Sequence, residues 1–117
     1  MEYLFICYKS CSTCAKAKKS LEANNINYTY REISDANPSV EELKAWIKLS
    51  GLPIKKFFNT SGKIYRELKL KEKLKYMTDL EKIQLLATDG MLVKRPLLVS
   101  QEKVLVGFDE EKYQKLI

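Results

Sequence analysis

The stretch from residue 3 to residue 33 narrows the fold more than any other part of the chain. Tyr3-Leu4-Phe5-Ile6-Cys7-Tyr8 is a short, continuous apolar run closed by Lys9-Ser10. A run of that length without alternation fits a strand buried on both faces. Cys11-Ser12-Thr13-Cys14 follows, and then a segment in which Cys14, Ala17 and Leu21 recur at helical spacing among Lys16, Lys18 and Lys19. This predicts an amphipathic helix over Ala15–Asn24 with a basic outer face, stopped at Asn24-Asn25. Residues 26–33, Ile-Asn-Tyr-Thr-Tyr-Arg-Glu-Ile, alternate and are rich in aromatic and β-branched types, a second strand. Strand, helix and strand in so short a span point to parallel pairing through a right-handed crossover.

The middle of the chain reads as helical. Ser39 and Glu42 form a capping box ahead of an apolar stripe of Val40, Leu43, Trp46 and Ile47, and Gly51 with Pro53 ends that helix. Residues 54–77 lack one clear period and predict short helical pieces held by Phe57, Phe58, Tyr65 and Leu68. Thr78 and Glu81 make a second capping box, followed by Leu80, Ile83, Leu86 and Ala87 and closed by Asp89-Gly90. The chain then returns to strands. Leu97-Leu98-Val99 and Val104-Leu105-Val106 flank a turn at Ser100–Lys103, and a last helix starts at Asp109 with acidic residues first and Lys112 and Lys115 behind.

The summed order is a βαβ half, a helical stretch, and a ββα half. That is the thioredoxin-like α/β plan, in which both halves share one mixed sheet. The expected layout is one domain over 1–117 with a helical insertion at about 34–91. The length of 117 residues leaves no room for a second domain of ordinary size. No apolar run approaches the ~20 residues of a membrane helix, and no secretory leader pattern follows Met1. With 45% hydrophobic and 31% charged residues the chain reads as a globular, cytoplasmic protein.

The three cysteines, Cys7, Cys11 and Cys14, are an odd set crowded at one end, a poor framework for structural disulfides. There is no His and no second CxxC, so a zinc site lacks half its ligands. Cys11-x-x-Cys14 falls where the first strand gives way to the first helix. Unpaired backbone N–H groups and the positive end of the helix dipole stabilise a thiolate there. Cys11, at the loop tip, is the candidate nucleophile. Cys14, one turn further in, can resolve a mixed disulfide on it. Cys7 lies inside the strand and reads as a core thiol, and Trp46 as a core side chain. In a thioredoxin-like fold the proline opening the third strand, here Pro96, is cis and faces the CxxC. Arg95 would then project near Cys11 and bind or stabilise an anion.

Taken together, these residues resemble the ArsC/Spx family, the arsenate-reductase-related branch of the thioredoxin superfamily, and specifically an ArsC-like branch of it. The resemblance spans nearly the whole chain. It rests on Tyr8-Lys9-Ser10-Cys11-Ser12-Thr13-Cys14-Ala15-Lys16-Ala17, on Asn37-Pro38-Ser39, on Phe58-Asn59-Thr60-Ser61-Gly62-Lys63 with Tyr65-Arg66-Glu67-Leu68, and on Leu92-Val93-Lys94-Arg95-Pro96-Leu97.

The resemblance implies two functions of different classes. One is reduction of arsenate, another oxyanion or a disulfide, with Cys11, Cys14 and Arg95 as the reacting set. Ser10, Ser12, Thr13, Asn59, Pro96 and Gly107 would shape the site. The reductant would be external, thioredoxin or glutathione with glutaredoxin, and no metal or organic cofactor is implied. The arsenate reductases use two further arginines, and Asn59 and Gly107 stand near those positions here. Losing two charged clamps weakens an oxyanion site by several kcal/mol, at roughly 1.5–3 for each charge-assisted bond. The second function is a redox-sensing regulator that binds the α subunit of RNA polymerase and uses the CxxC as a disulfide switch. Cys11, Cys14, Arg95 and Val106-Gly107-Phe108 resemble that branch.

The net charge of +6 favours acidic partners. The lysines read as scattered over several helices and no nucleic-acid reader motif is present, which argues against direct nucleic-acid binding. Nothing in the sequence signals oligomerisation, so a monomer is expected.

Overall fold

The computed structural model describes residues 2–116; the terminal Met1 and Ile117 of the expected 1–117 domain lie outside the described residues. Four strands form one mixed sheet in the order β2-β1-β3-β4. They are β1 (Tyr3–Cys7), β2 (Tyr28–Glu32), β3 (Leu97–Val99) and β4 (Val104–Val106). β1 pairs parallel with β2, Tyr3 opposite Tyr28 and Cys7 opposite Glu32. It pairs antiparallel with β3, which pairs antiparallel with β4. This is the thioredoxin-like arrangement expected from the order of elements.

Side chains alternate across a strand, so each strand feeds two cores. Leu4 and Ile6, Leu97 and Val99, and Val104 and Val106 face the helical middle of the chain. Tyr3, Phe5 and Cys7, with Leu98 and Leu105, face the other way, onto α1 (Ser12–Ala23) and α6 (Glu110–Gln114). α1 buries Cys14, Ala17, Ser20 and Leu21 on that side. The Ser20 hydroxyl donates to Glu110 Oε1 at 3.2 Å, tying α1 to α6.

Between β2 and β3 the helices are α2 (Val40–Ser50), α3 (Lys63–Glu67), α4 (Leu70–Lys73) and α5 (Asp79–Leu86). Tight turns at Ile54–Phe57, Leu74–Tyr76 and Gly90–Leu92 connect them. Both expected capping boxes form, Ser39 with Glu42 and Thr78 with Glu81. Gly51 closes α2 in the left-handed conformation, at φ 69°, where a Cβ is disfavoured. Trp46 is buried as expected, and the Arg31 guanidinium lies 5.8 Å from its ring centre. None of the described helices is long and apolar enough to cross a membrane.

Three details differ from the sequence reading. α1 starts at Ser12, three residues early, because Cys11 itself takes the N-cap conformation. Leu68 is exposed, not packed: it ends α3, and the left-handed residue Lys69 (φ 54°) redirects the chain so that Leu70 and Leu74 turn inward. Leu80 is also exposed, because it sits in the first turn of α5, whose buried residues are Ile83 and Leu86.

Candidate functional site

The turn between β1 and α1 is short and internally braced. The Cys11 N–H donates to the Tyr8 carbonyl at 3.0 Å, and the Cys11 carbonyl accepts the Ala15 N–H at 3.2 Å, opening the helix. Cys11 is extended (φ −92°, ψ 116°), and its side chain makes no capping bond. The first-turn amides therefore retain their donor capacity and the helix dipole its positive end. Ser10 lies in the turn, and Ser12 and Thr13 stand exposed on the first turn of α1.

Cys11 is half-buried, whereas Cys14 and Cys7 are buried; all three are free thiols. They share one pocket of about 300 Å³ at the C-terminal end of β1. Phe5, Tyr8 and Tyr30 supply its aromatic wall, and Lys9 and Lys18 its positive charge. Among the described residues no three His, Cys, Asp or Glu side chains converge as a metal site would.

The electrostatics single out Cys14. Its pKa is lowered to about 6, first by the facing Cys7 thiol. Burial opposes the shift, but the Tyr8 backbone N–H, the Cys11 thiol and the positive charge of Arg95 all support the thiolate. Cys7 moves the opposite way. Its contact with Cys14, together with its own burial, holds it firmly as the neutral thiol. Cys7 is thus core by burial and also part of the thiol cluster. The sequence carries part of the signal, since a strand's period of two puts Cys7 on the face of Phe5; that α1 sets Cys14 against it follows only from the packing.

Arg95 sits behind this cluster. Its guanidinium carbon lies 5.4 Å from the Tyr8 ring centre, and Nη1 donates to the Gly90 carbonyl at 3.1 Å. Its buried Nε has no hydrogen-bond partner among the described residues. The Arg95–Pro96 bond is cis. Gly107 abuts it, with the Gly107 N–H donating to the Pro96 carbonyl at 2.8 Å and φ at 76°. Asn59 enters from the helical middle. Its N–H donates to the Leu92 carbonyl at 2.8 Å, and the Phe58–Val93 bridge lays this segment beside the approach to Arg95. The side chain of Asn59 is spent on the local turn, where Oδ1 accepts from the Ser61 hydroxyl at 3.4 Å.

The family model described as the ArsC family matches residues 7–116, from the last residue of β1 to the end of the described chain. The chain belongs to the ArsC family. A solved structure of an ArsC family related protein from Bacteroides fragilis is 64% identical, with a TM-score of 0.97 over 100% of this chain and 98% of that one. A possible arsenate reductase from Streptococcus mutans is 44% identical, with a TM-score of 0.84 over 91% and 90% of the two chains. Among curated relatives, the Bacillus subtilis protein YusI is 52% identical over 98% of each chain. The regulatory protein MgsR of the same organism is 31% identical over 96% of this chain and 87% of its own. This member of the ArsC family is therefore similar both to a possible arsenate reductase and to a regulatory protein.

Proposed function

We propose that this chain is a cytoplasmic dithiol reductase that acts on a disulfide-bonded or sulfur-adduct substrate through Cys11 and Cys14. The observation that carries the reading is the pairing of an accessible thiol at the N-cap of α1 with a buried thiol one turn in, held toward its thiolate. Access selects Cys11 as the attacking group. Ionisation near neutral pH suits Cys14 to the second attack, because the thiolate is the reactive form.

For a disulfide substrate, the Cys11 thiolate attacks one sulfur and expels the other as a thiolate, leaving a mixed disulfide on Cys11. The Cys14 thiolate then attacks the Cys11 sulfur and releases the second substrate thiolate. The substrate gains two electrons and the protein is left with a Cys11–Cys14 disulfide. An external thiol reductant, thioredoxin or glutathione with glutaredoxin, returns the two electrons and is itself oxidised. Arg95, beside Tyr8 and close enough for its charge to act on Cys14, supplies positive potential for an anionic substrate. Pro96 and Gly107 shape the wall beside it. Arsenate is disfavoured because Asn59 and Gly107 supply no positive charge, which leaves Arg95 as the one arginine of the three for a tetrahedral oxyanion.

The test is turnover of glutathionylated peptide and of arsenate, each with a thioredoxin or glutaredoxin recycling system. Disulfide turnover is expected, lost in Cys11→Ser, with Cys14→Ser trapping a mixed disulfide seen by mass spectrometry. Full turnover by Cys11→Ser would sink the assignment. A second reading draws on the identity to MgsR: the same dithiol serves as a redox switch on a regulator that docks on the RNA polymerase α subunit. Pull-down with that subunit's C-terminal domain, oxidised and reduced, separates the two. Binding in neither state removes the regulator.

A further inference from the structure

The chain's charge is concentrated where the thiols are not. Residues 54–82 hold nine Lys or Arg against four Asp or Glu, a net +5 of the chain's +6. The lysines that read as scattered along the sequence are gathered by the fold. Lys55 comes from the Ile54–Phe57 turn, Lys71 from α4, Lys75 from the Leu74–Tyr76 turn and Lys82 from α5. All four rim one hollow of about 220 Å³ whose floor is Tyr65 and Leu74. Like charges brought together from four elements repel, and only Lys75 has a carboxylate at hand, Glu72 at 3.3 Å. Among the described residues Lys55, Lys71 and Lys82 have none within ion-pair distance.

The same segment also exposes apolar side chains. Of the five large hydrophobics exposed among the described residues, Leu68, Tyr76 and Leu80 lie in it, Tyr76 at 88%. Exposed apolar groups on the segment that also supplies the unpaired cations suit a macromolecular partner. The hollow is smaller than the roughly 300 Å³ at which small-molecule pockets begin. A nucleic acid fits the hollow less well, because its floor is the aliphatic Leu74 and a Tyr65 that is only 6% exposed, neither an open stacking plane for a base.

We infer that the hollow rimmed by Lys55, Lys71, Lys75 and Lys82 docks an acidic segment of a partner protein, one apolar side chain seated on Tyr65 and Leu74 and its carboxylates on the lysines. This goes beyond the thiol chemistry and does not depend on it. The surface lies on the insertion, whereas the reacting cysteines lie at the N-cap and in the first turn of α1.

The test uses the full chain and a short fluorescent peptide of Asp and Glu around a central Leu, with a single-stranded oligonucleotide of equal charge as competitor. Peptide binding is expected, weakening as salt screens it. Reversal of three lysines, K55E/K71E/K82E, is expected to weaken it about tenfold or more, while the equal change K48E/K103E/K112E costs less than about twofold. If the reversed triple fails to fold, K55Q/K71Q/K82Q replaces it, with a loss of at least about threefold expected. No peptide binding, equal losses in the two triples, or tighter binding of the oligonucleotide would each overturn the proposal. Disulfide turnover should be unchanged in K55Q/K71Q/K82Q, so failure here and failure of the reductase reading are separate results.

Discussion

The two faces of the sheet are built alike and used differently. The face covered by α1 and α6 packs a small core of Phe5, Leu21, Leu98 and Tyr113, and it ends in the three thiols. The face covered by the insertion packs a larger core, with Ile33, Leu43, Phe57, Phe58 and Leu86, and carries the lysine-rich 54–82 segment. One face therefore places its reactive groups at a strand end, where the backbone is firmly paired. The other gathers lysines on short helices linked by tight turns. Reaction geometry needs the first kind of support, whereas a charged docking surface tolerates the second.

Truncating one aromatic on each face tests that separation most severely. Phe5→Ala and Phe57→Ala should each cost about 3–5 kcal/mol in denaturant unfolding, since both side chains are fully buried. Only Phe5→Ala should also alter the thiol titration, because Phe5 lines the thiol pocket.

A smaller effect is expected where β2 meets α2. Arg31 donates to Glu42 at 2.7 and 2.9 Å, to the Ala36 carbonyl at 2.9 Å and to the Asn37 carbonyl at 3.2 Å. Arg31→Ala should cost about 2 kcal/mol, reduced from the sum of its bonds because Glu42 is partly solvated. Arg31 holds the Glu42 carboxyl below its ordinary range. That contribution is present above the unfolded carboxylate pKa and is lost as pH falls through the folded one. The stability gap between wild type and Arg31→Ala should therefore narrow in acid.

Cys7→Ala tests the thiol face alone. Stability should fall by about 1 kcal/mol, whereas the Cys14 titration should rise clearly from about 6, because the Cys7 thiol is the largest influence holding it down. Thiolate ultraviolet absorbance in a Cys11→Ser background reads this directly. An unmoved titration would assign the acidity of Cys14 to α1 and Arg95. The smallest effect lies on the insertion. Lys69→Gly should stabilise by up to about 1 kcal/mol, since Lys69 holds a left-handed conformation at φ 54°.

The elements near the site were legible because their signals are local. The unbroken apolar run marked β1, Asn24-Asn25 marked the end of α1, and the capping boxes at Ser39 and Thr78 marked α2 and α5. Leu68 and Leu80 were misread because an apolar residue at the right spacing is buried only if the core extends that far. Arg95 and Pro96 could be placed only through the likeness to a known fold, since 80 residues of sequence lie between Cys14 and Arg95.

The sequence by itself determined the order of strands and helices, the Cys11-x-x-Cys14 motif at a strand-to-helix turn, and the family. These follow from spacing, capping and alternation within a few residues. Tertiary structure alone decided that Cys7 faces Cys14, that Cys14 is the acidic thiol, and that four lysines from separate helices share one hollow. Acidity and charge density depend on which groups meet through space, and here the partners come from different turns of the fold.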